Sequence, residues 1–120
     1  MPEIMSTPRN EPFKIGPLEL IAVSFDDYPD TVFFGLKKLC QQLEIASPSR
    51  AREWIDPEDL AYALIPTESN RIQRTLMVAE PGLYALALKS KSETARKFQD
   101  WLFTEVLPNT DALAKFGDLK

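Results

Sequence analysis

The sequence contains no histidine, and its 120 residues include a single cysteine, Cys40. Without histidine the chain cannot form the Ser-His or Cys-His pairs that activate many nucleophiles, and most zinc sites are excluded as well. Glycine occurs only 4 times, and no glycine-rich phosphate-binding loop is present. We therefore predict that the protein is not an enzyme and that it uses no cofactor and no metal ion.

The single cysteine also excludes an internal disulfide, which fits a reducing cytoplasm. The first twelve residues, MPEIMSTPRNEP, include 3 prolines and no long apolar run, so they match neither a signal peptide nor a membrane anchor. We predict a cytoplasmic protein in which residues 1–12 form a flexible amino-terminal arm.

Length and composition favour one domain. With 44% hydrophobic residues the chain can bury one sizeable core, and we place the domain at residues 13–110, followed by a tail at residues 111–120. Acidic side chains number 18 against 14 basic ones, a net charge of −4. Because modules that bind nucleic acid usually carry a basic surface, this balance keeps a protein partner in consideration.

A first β-hairpin is predicted near the amino terminus. It pairs Leu18–Phe25, which is rich in β-forming residues, with residues 31–34 across a wide loop that contains Asp26, Asp27 and Asp30. These aspartates lack the spacing, the glycine and the closing glutamate of a calcium loop, so we assign them no metal.

A second hairpin is predicted from Leu60–Pro66 and Ile72–Ala79. A helix over residues 57–64 is the competing interpretation, because Asp56 is a suitable N-cap and Pro57 a suitable first helical residue. We prefer the strand here, and the hairpin then leads directly into the next helix.

Apolar residues recur at helical spacing in four further stretches, which begin near Leu36, Pro48, Pro81 and the corner at residues 90–93. Since hairpins and helices are clustered instead of alternating, we predict an α+β fold with a small antiparallel sheet, built from the two β-hairpins and packed against about four helices.

The last predicted helix supplies the core. At its start Ser90 and Glu93 form a capping box, or Ser92 is the cap. Pro108 ends it. The residues expected to anchor the core are Phe98, Trp101, Leu102, Leu39, Leu43 and Leu86.

The segment EPGLYALALKSKSETARKFQDWLFTEVLP resembles the signature of the amino-terminal domain of the BRO family (Bro-N), found in prophage antirepressors and in large DNA viruses of insects. The positions that carry the resemblance are Glu80, Gly82, Leu83, Tyr84, Ser90, Ala95, Lys97, Phe98, Trp101, Glu105, Val106, Leu107 and Pro108. A weaker resemblance reaches back to about Phe13. The chain departs from the family pattern at Lys38, at Glu44 with Ile45, and at Asp111.

The resemblance implies DNA binding and transcriptional control of phage development. Two short helices joined by a brief turn, the second with exposed arginines, are also similar to a helix-turn-helix. The candidate nucleic-acid-binding residues are Lys37, Lys38, Arg50, Arg52, Arg71 and Arg74. Ordinary solvated charge is the alternative explanation for each of them.

Two functions follow as hypotheses. The first is a non-enzymatic regulatory module of phage or prophage type that binds DNA. The second is an acidic, antirepressor-like protein that binds a repressor or another host protein, because an acidic surface complements a basic DNA-binding face. A homo-oligomer is compatible with either hypothesis, and the chain is either a stand-alone module or part of a longer protein.

Overall fold

Six strands form one mixed sheet in the computed structural model, which describes residues 2–106. The strands are β1 (Glu3–Ile4), β2 (Arg9–Ile15), β3 (Leu18–Phe25), β4 (Tyr28–Gly35), β5 (Leu60–Pro66) and β6 (Ile72–Ala79). Their order across the sheet is β1-β5-β6-β4-β3-β2, with β1 parallel to β5 and every other pair antiparallel. Both predicted hairpins, β3–β4 and β5–β6, are confirmed.

Four helices accompany the sheet, which confirms the predicted fold class. They are α1 (Leu36–Gln42), α2 (Pro48–Arg52), α3 (Glu80–Lys89) and α4 (Glu93–Trp101), with a 3-10 turn at Pro57–Asp59 and a π-helical turn at Leu102–Val106. No helix within residues 2–106 combines the length and the apolar character needed to cross a bilayer. The predicted helix end at Pro108 and the predicted tail lie outside the described residues.

The helix starts follow the expected chemistry at three of the four helices. Ser47 caps α2 by accepting a hydrogen bond from the Arg50 backbone N–H at 3.3 Å, and Pro48 and Pro81 each lie in a first turn. Ser92 caps α4 by accepting from the Ala95 N–H at 3.1 Å. The predicted Ser90–Glu93 capping box is therefore wrong, and the alternative prediction, that Ser92 is the cap, is confirmed.

Ser90 is unavailable as a cap because it is buried between elements. Its hydroxyl lies 3.3 Å from the Leu43 carbonyl oxygen, to which it donates a hydrogen bond. The Gln99 side chain donates to the Ala87 carbonyl at 2.8 Å and so satisfies the end of α3. Side chains of the corner and of α4 therefore tie the helices together.

The amino-terminal residues differ from the expected flexible arm. β1 and the first residues of β2 fall within residues 1–12, and Ile4 is fully buried beside β5. Pro12 is accommodated because β2 is an outer strand, where a missing N–H need not interrupt a ladder.

The predicted wide loop of the first hairpin also differs from the structure, since Asp26 and Asp27 alone make a tight turn and β4 starts at Tyr28.

The hydrophobic core lies between the helices and one side of the sheet, which we call the helix face. Its fully buried side chains include Phe34, Leu39, Leu43, Leu86, Phe98 and Leu102. Trp101 is only partly buried and packs at the edge of this core. The opposite side, the far face, has a smaller cluster made only of strand residues, among them Val23, Phe33 and Met77.

Candidate nucleic-acid interface

The sheet divides where β4 ends and the chain turns into α1. β4 pairs with β6 only through residues 33–35, opposite residues 77–79. On its other side β4 pairs with β3, and this pairing covers residues 23–25 of β3, starting with Val23 opposite Phe33. Residues 72–76 of β6 and residues 18–22 of β3 therefore do not pair with β4. A groove of about 800 Å³ lies at this division.

Four of the six candidate cations line this groove. Lys37 and Lys38 come from the first turn of α1, Arg52 from the end of α2, and Arg74 from β6. The one carboxylate in the lining is Glu68, so four positive charges and one negative charge give +3. The groove is thus a local basic region in a chain whose net charge is −4.

Tyr62 links the two arginines of the groove. The Arg74 guanidinium carbon lies 3.5 Å from the centre of the Tyr62 ring, and Arg52 donates to the Tyr62 hydroxyl at 3.4 Å. Tyr62 pairs with Leu76 and Leu64 with Arg74, so Tyr62 and Arg74 are diagonal neighbours on the helix face. This arrangement holds both guanidinium groups in place.

Arg74 also has a carboxylate partner. Its Nε donates to Glu3 of β1 at 2.8 Å, and a second guanidinium nitrogen bonds the same oxygen. This hydrogen bond raises the pKa of Arg74 above its ordinary value. Lys37 and Lys38 are exposed and form no ion pair within residues 2–106. The lysines therefore supply the more available charge.

The other two candidates lie outside the groove. Arg50 is exposed near the start of α2, and Arg71 lies in the loop between β5 and β6, where its backbone pairs with Thr67. The structure thus brings Lys37, Lys38, Arg52 and Arg74 together and leaves Arg50 and Arg71 apart.

The helix-turn-helix interpretation is not supported by the dimensions of α2. This helix has 5 residues, which corresponds to about 7.5 Å at 1.5 Å per residue. Its Ala51 is fully buried against the core, and Ile55 is buried just beyond its end. A helix this short cannot lie along a major groove as a recognition helix does.

Two buried side chains, Cys40 and Tyr84, have raised pKa values. Burial raises the pKa of the Cys40 thiol, which leaves less of the nucleophilic thiolate. Burial, followed by the Glu80 carboxylate, raises the pKa of Tyr84, whose hydroxyl donates to Glu80 at 2.5 Å. Within residues 2–106 no group of three Cys, Asp or Glu side chains has an arrangement that could hold a metal ion, and Asp26 pairs with Arg9 at 2.5 Å.

Glu3 and Tyr62 hold Arg74 of the groove and Gly35 lies in its lining, and none of the three was predicted from the sequence. Tyr62 could have been found, because the predicted β5–β6 hairpin places it diagonally across from Arg74 once the register is fixed. Glu3 could not, because a strand of 2 residues has no periodicity to detect.

An α+β domain with a basic groove at a divided sheet is the class that fold and site define. A family model described as "BRO family, N-terminal domain" matches residues 22–108, most of the chain. The chain therefore belongs to the BRO family, which is of the phage-antirepressor and DNA-binding type. The match starts within β3, so β1 and β2 precede it. No match was found among curated proteins or among solved structures.

Proposed function

We propose that this protein is a non-enzymatic transcription-regulatory module of phage or prophage type, which acts in the cytoplasm and binds DNA at the groove. The observation that carries the proposal is the gathering of Lys37, Lys38, Arg52 and Arg74 from three separate elements into one groove. The family supports it, because its domain is of the DNA-binding type.

The charge distribution suits contact with the phosphate backbone. Lysine ammonium groups act as mobile point charges, whereas arginine guanidinium groups present a planar pair of donors to phosphate oxygens. The turn at Asp26 and Asp27 and the 3-10 turn with Asp56 and Glu58 expose carboxylates. These groups repel phosphate, so the groove is the part of the described surface toward which a duplex is steered.

Titration of labelled duplex DNA at several salt concentrations tests the proposal. The double variant Lys37→Gln/Lys38→Gln should lower the affinity and reduce the slope of log K against log salt by about 0.9 for each phosphate that the protein no longer neutralises. Arg50→Gln/Arg71→Gln removes the same formal charge outside the groove and is the matched control. Equal slopes for the two double variants would contradict the assignment to the groove.

A protein partner is the second candidate function, and the acidic surface favours it. Residues 1–60 contain 11 acidic and 6 basic side chains, a net of −5. If no duplex binds even at low salt while a purified repressor's basic DNA-binding domain does, the antirepressor-like function replaces the first. Asp26→Asn/Asp27→Asn should then weaken that complex, and sedimentation velocity would show whether the protein itself is a homo-oligomer.

A further inference from the structure

The groove has the width of one missing strand. β3 and β6 both pair with β4, so they are held two strand spacings apart, roughly 9.5 Å. Beyond Gly35 no described strand continues the direction of β4, because the chain turns into α1 on the helix face. What remains is a slot that extends along residues 72–76 of β6, roughly 15 Å, with Ile21 and Val23 of β3 on its other side near Gly35.

The backbone of β6 presents free hydrogen-bonding groups to this slot. The Tyr62 N–H donates to the Pro2 carbonyl at 2.9 Å, so it points away from β6. Its cross-strand partner Leu76 therefore belongs to a non-hydrogen-bonded pair of the β5–β6 ladder. Hydrogen-bonded and non-hydrogen-bonded pairs alternate along an antiparallel ladder, so the N–H and C=O groups of Arg74 and Ile72 also point away from β5. No strand within residues 2–106 pairs with these two residues on that side.

The two sides of the slot differ in chemistry. Lys37, Lys38 and Arg52 come from helices, and Arg74 shares the helix face with Tyr62, so all four cations lie on that side. The far face contributes uncharged side chains to the lining, among them Ile65 and Val23. Successive side chains of a strand point to opposite faces. A strand that alternates carboxylates with apolar residues is complementary to both sides.

We propose that this slot binds an extended acidic peptide segment of a partner protein, which adds to the sheet as a strand beside β6 and continues the line of β4. Backbone hydrogen bonds to Ile72 and Arg74 supply pairing, and the four cations select carboxylates on alternate residues. The proposal rests on the strand edge and not on DNA binding. Since the cations are shared, the peptide and a duplex exclude one another.

Two substitutions at one position separate backbone pairing from charge. Arg74→Ala removes the cation and keeps the N–H, whereas Arg74→Pro removes both. Because the Arg74 N–H points away from β5, proline leaves the β5–β6 ladder intact. A fluorescein-labelled peptide of five Glu-Val repeats should bind Arg74→Pro about tenfold more weakly than Arg74→Ala, as expected when one backbone hydrogen bond and its geometry are removed. Duplex DNA should bind the two variants equally.

Chemical changes in the peptide give a test that does not depend on the folding of the proline variant. Peptides N-methylated on every glutamate or on every valine should bind wild type at least tenfold more weakly in one or both series. Hydrogen exchange at the Ile72 and Arg74 amides should slow when the unmodified peptide is added. A Lys-Val peptide of the same length should not bind.

Three results would overturn the proposal. One is equal binding of the Glu-Val peptide by Arg74→Ala and folded Arg74→Pro. Another is full affinity of both N-methylated peptides, which would show contact through charge alone. The third is concentration-dependent dimerisation of the unliganded protein that Arg74→Pro abolishes, because the slot would then hold a second copy of the chain.

Discussion

The two ends of this small domain differ in how much space they leave. Where α3 and α4 cover the sheet, a Cβ added to Gly82 would lie 2.4 Å from Val78, and one added to Gly16 would lie 2.5 Å from Trp101. At the groove, a Cβ added to Gly35 would meet nothing within 4 Å. The packed region therefore supplies stability, and the groove keeps room and charge for a ligand.

Phe98→Ala should give the largest effect, because it empties the centre of the packed region. Phe98 is fully buried and its ring lies near those of Tyr84 and Trp101. We expect a decrease of about 3–5 kcal/mol in the free energy of unfolding, measured with urea. Phe103→Ala is the matched control, since Phe103 is 59% exposed and its truncation should cost little. Similar midpoints for the two variants would contradict the packed core described above.

Alanine substitutions at Gly16 and Gly35 compare the packed region with the groove directly. Gly16 has a φ of +57° and contacts Trp101, so Gly16→Ala should cost about 2 kcal/mol or more through backbone strain and overlap. Gly35 has a φ of −66° in open space, so Gly35→Ala should change stability by less than about 0.5 kcal/mol. Thermal unfolding measures both. If Gly35→Ala is the more damaging change, the groove is not open.

Local chemistry accounts for what the sequence could predict. Strands β3, β5 and β6 have the predicted bounds, because β-forming residues there end at clusters of turn residues. The 3-10 turn at Pro57–Asp59 explains the competing helix: Asp56 does accept from the Glu58 N–H at 2.9 Å, but one turn forms before the strand begins. Asp56 therefore does cap a helical turn, but that turn has only 3 residues.

Features that depend on tertiary contacts escaped prediction. β1 exists because Ile4 is buried beside Ala63, and nothing within its 2 residues encodes a strand. Ser90 does not cap α4, because its hydroxyl bonds to Leu43, which is 47 residues away. Likewise, charge alone could select six cations, but only the division of the sheet beside Gly35 separates the four in the groove from Arg50 and Arg71.

Glu3→Gln should affect the groove more than the packed region. Glu3 neutralises Arg74 from an exposed position, where solvent screens the pair, so it contributes little to stability. If DNA binds in the groove, releasing Arg74 should raise the affinity several-fold at low salt. Glu11→Gln makes the same charge change on β2 and should raise it less. Equal gains would show that Arg74 takes no part in binding.

The smallest expected effect is the dependence of stability on Asp59. Burial, followed by repulsion from Asp56 and Glu58, raises the pKa of Asp59 above its ordinary value of 3.8. A raised pKa in the folded state means that the folded protein holds the proton more tightly than the unfolded chain. The associated stability is therefore present below pH 3.8 and is lost as the pH rises through the folded-state pKa.

Asp59→Asn removes this pH-dependent destabilisation, so the variant should melt slightly higher than wild type at pH 7, and the difference should disappear as the pH falls below 3.8. Asp27→Asn removes one negative charge from an exposed turn and controls for net charge. A gain that is equal for both variants, or one that grows toward low pH, would show that the fold does not raise the pKa of Asp59. Because the 3-10 turn packs beside Gly82, a confirmed gain would also place a small electrostatic cost inside the packed region and not at the groove.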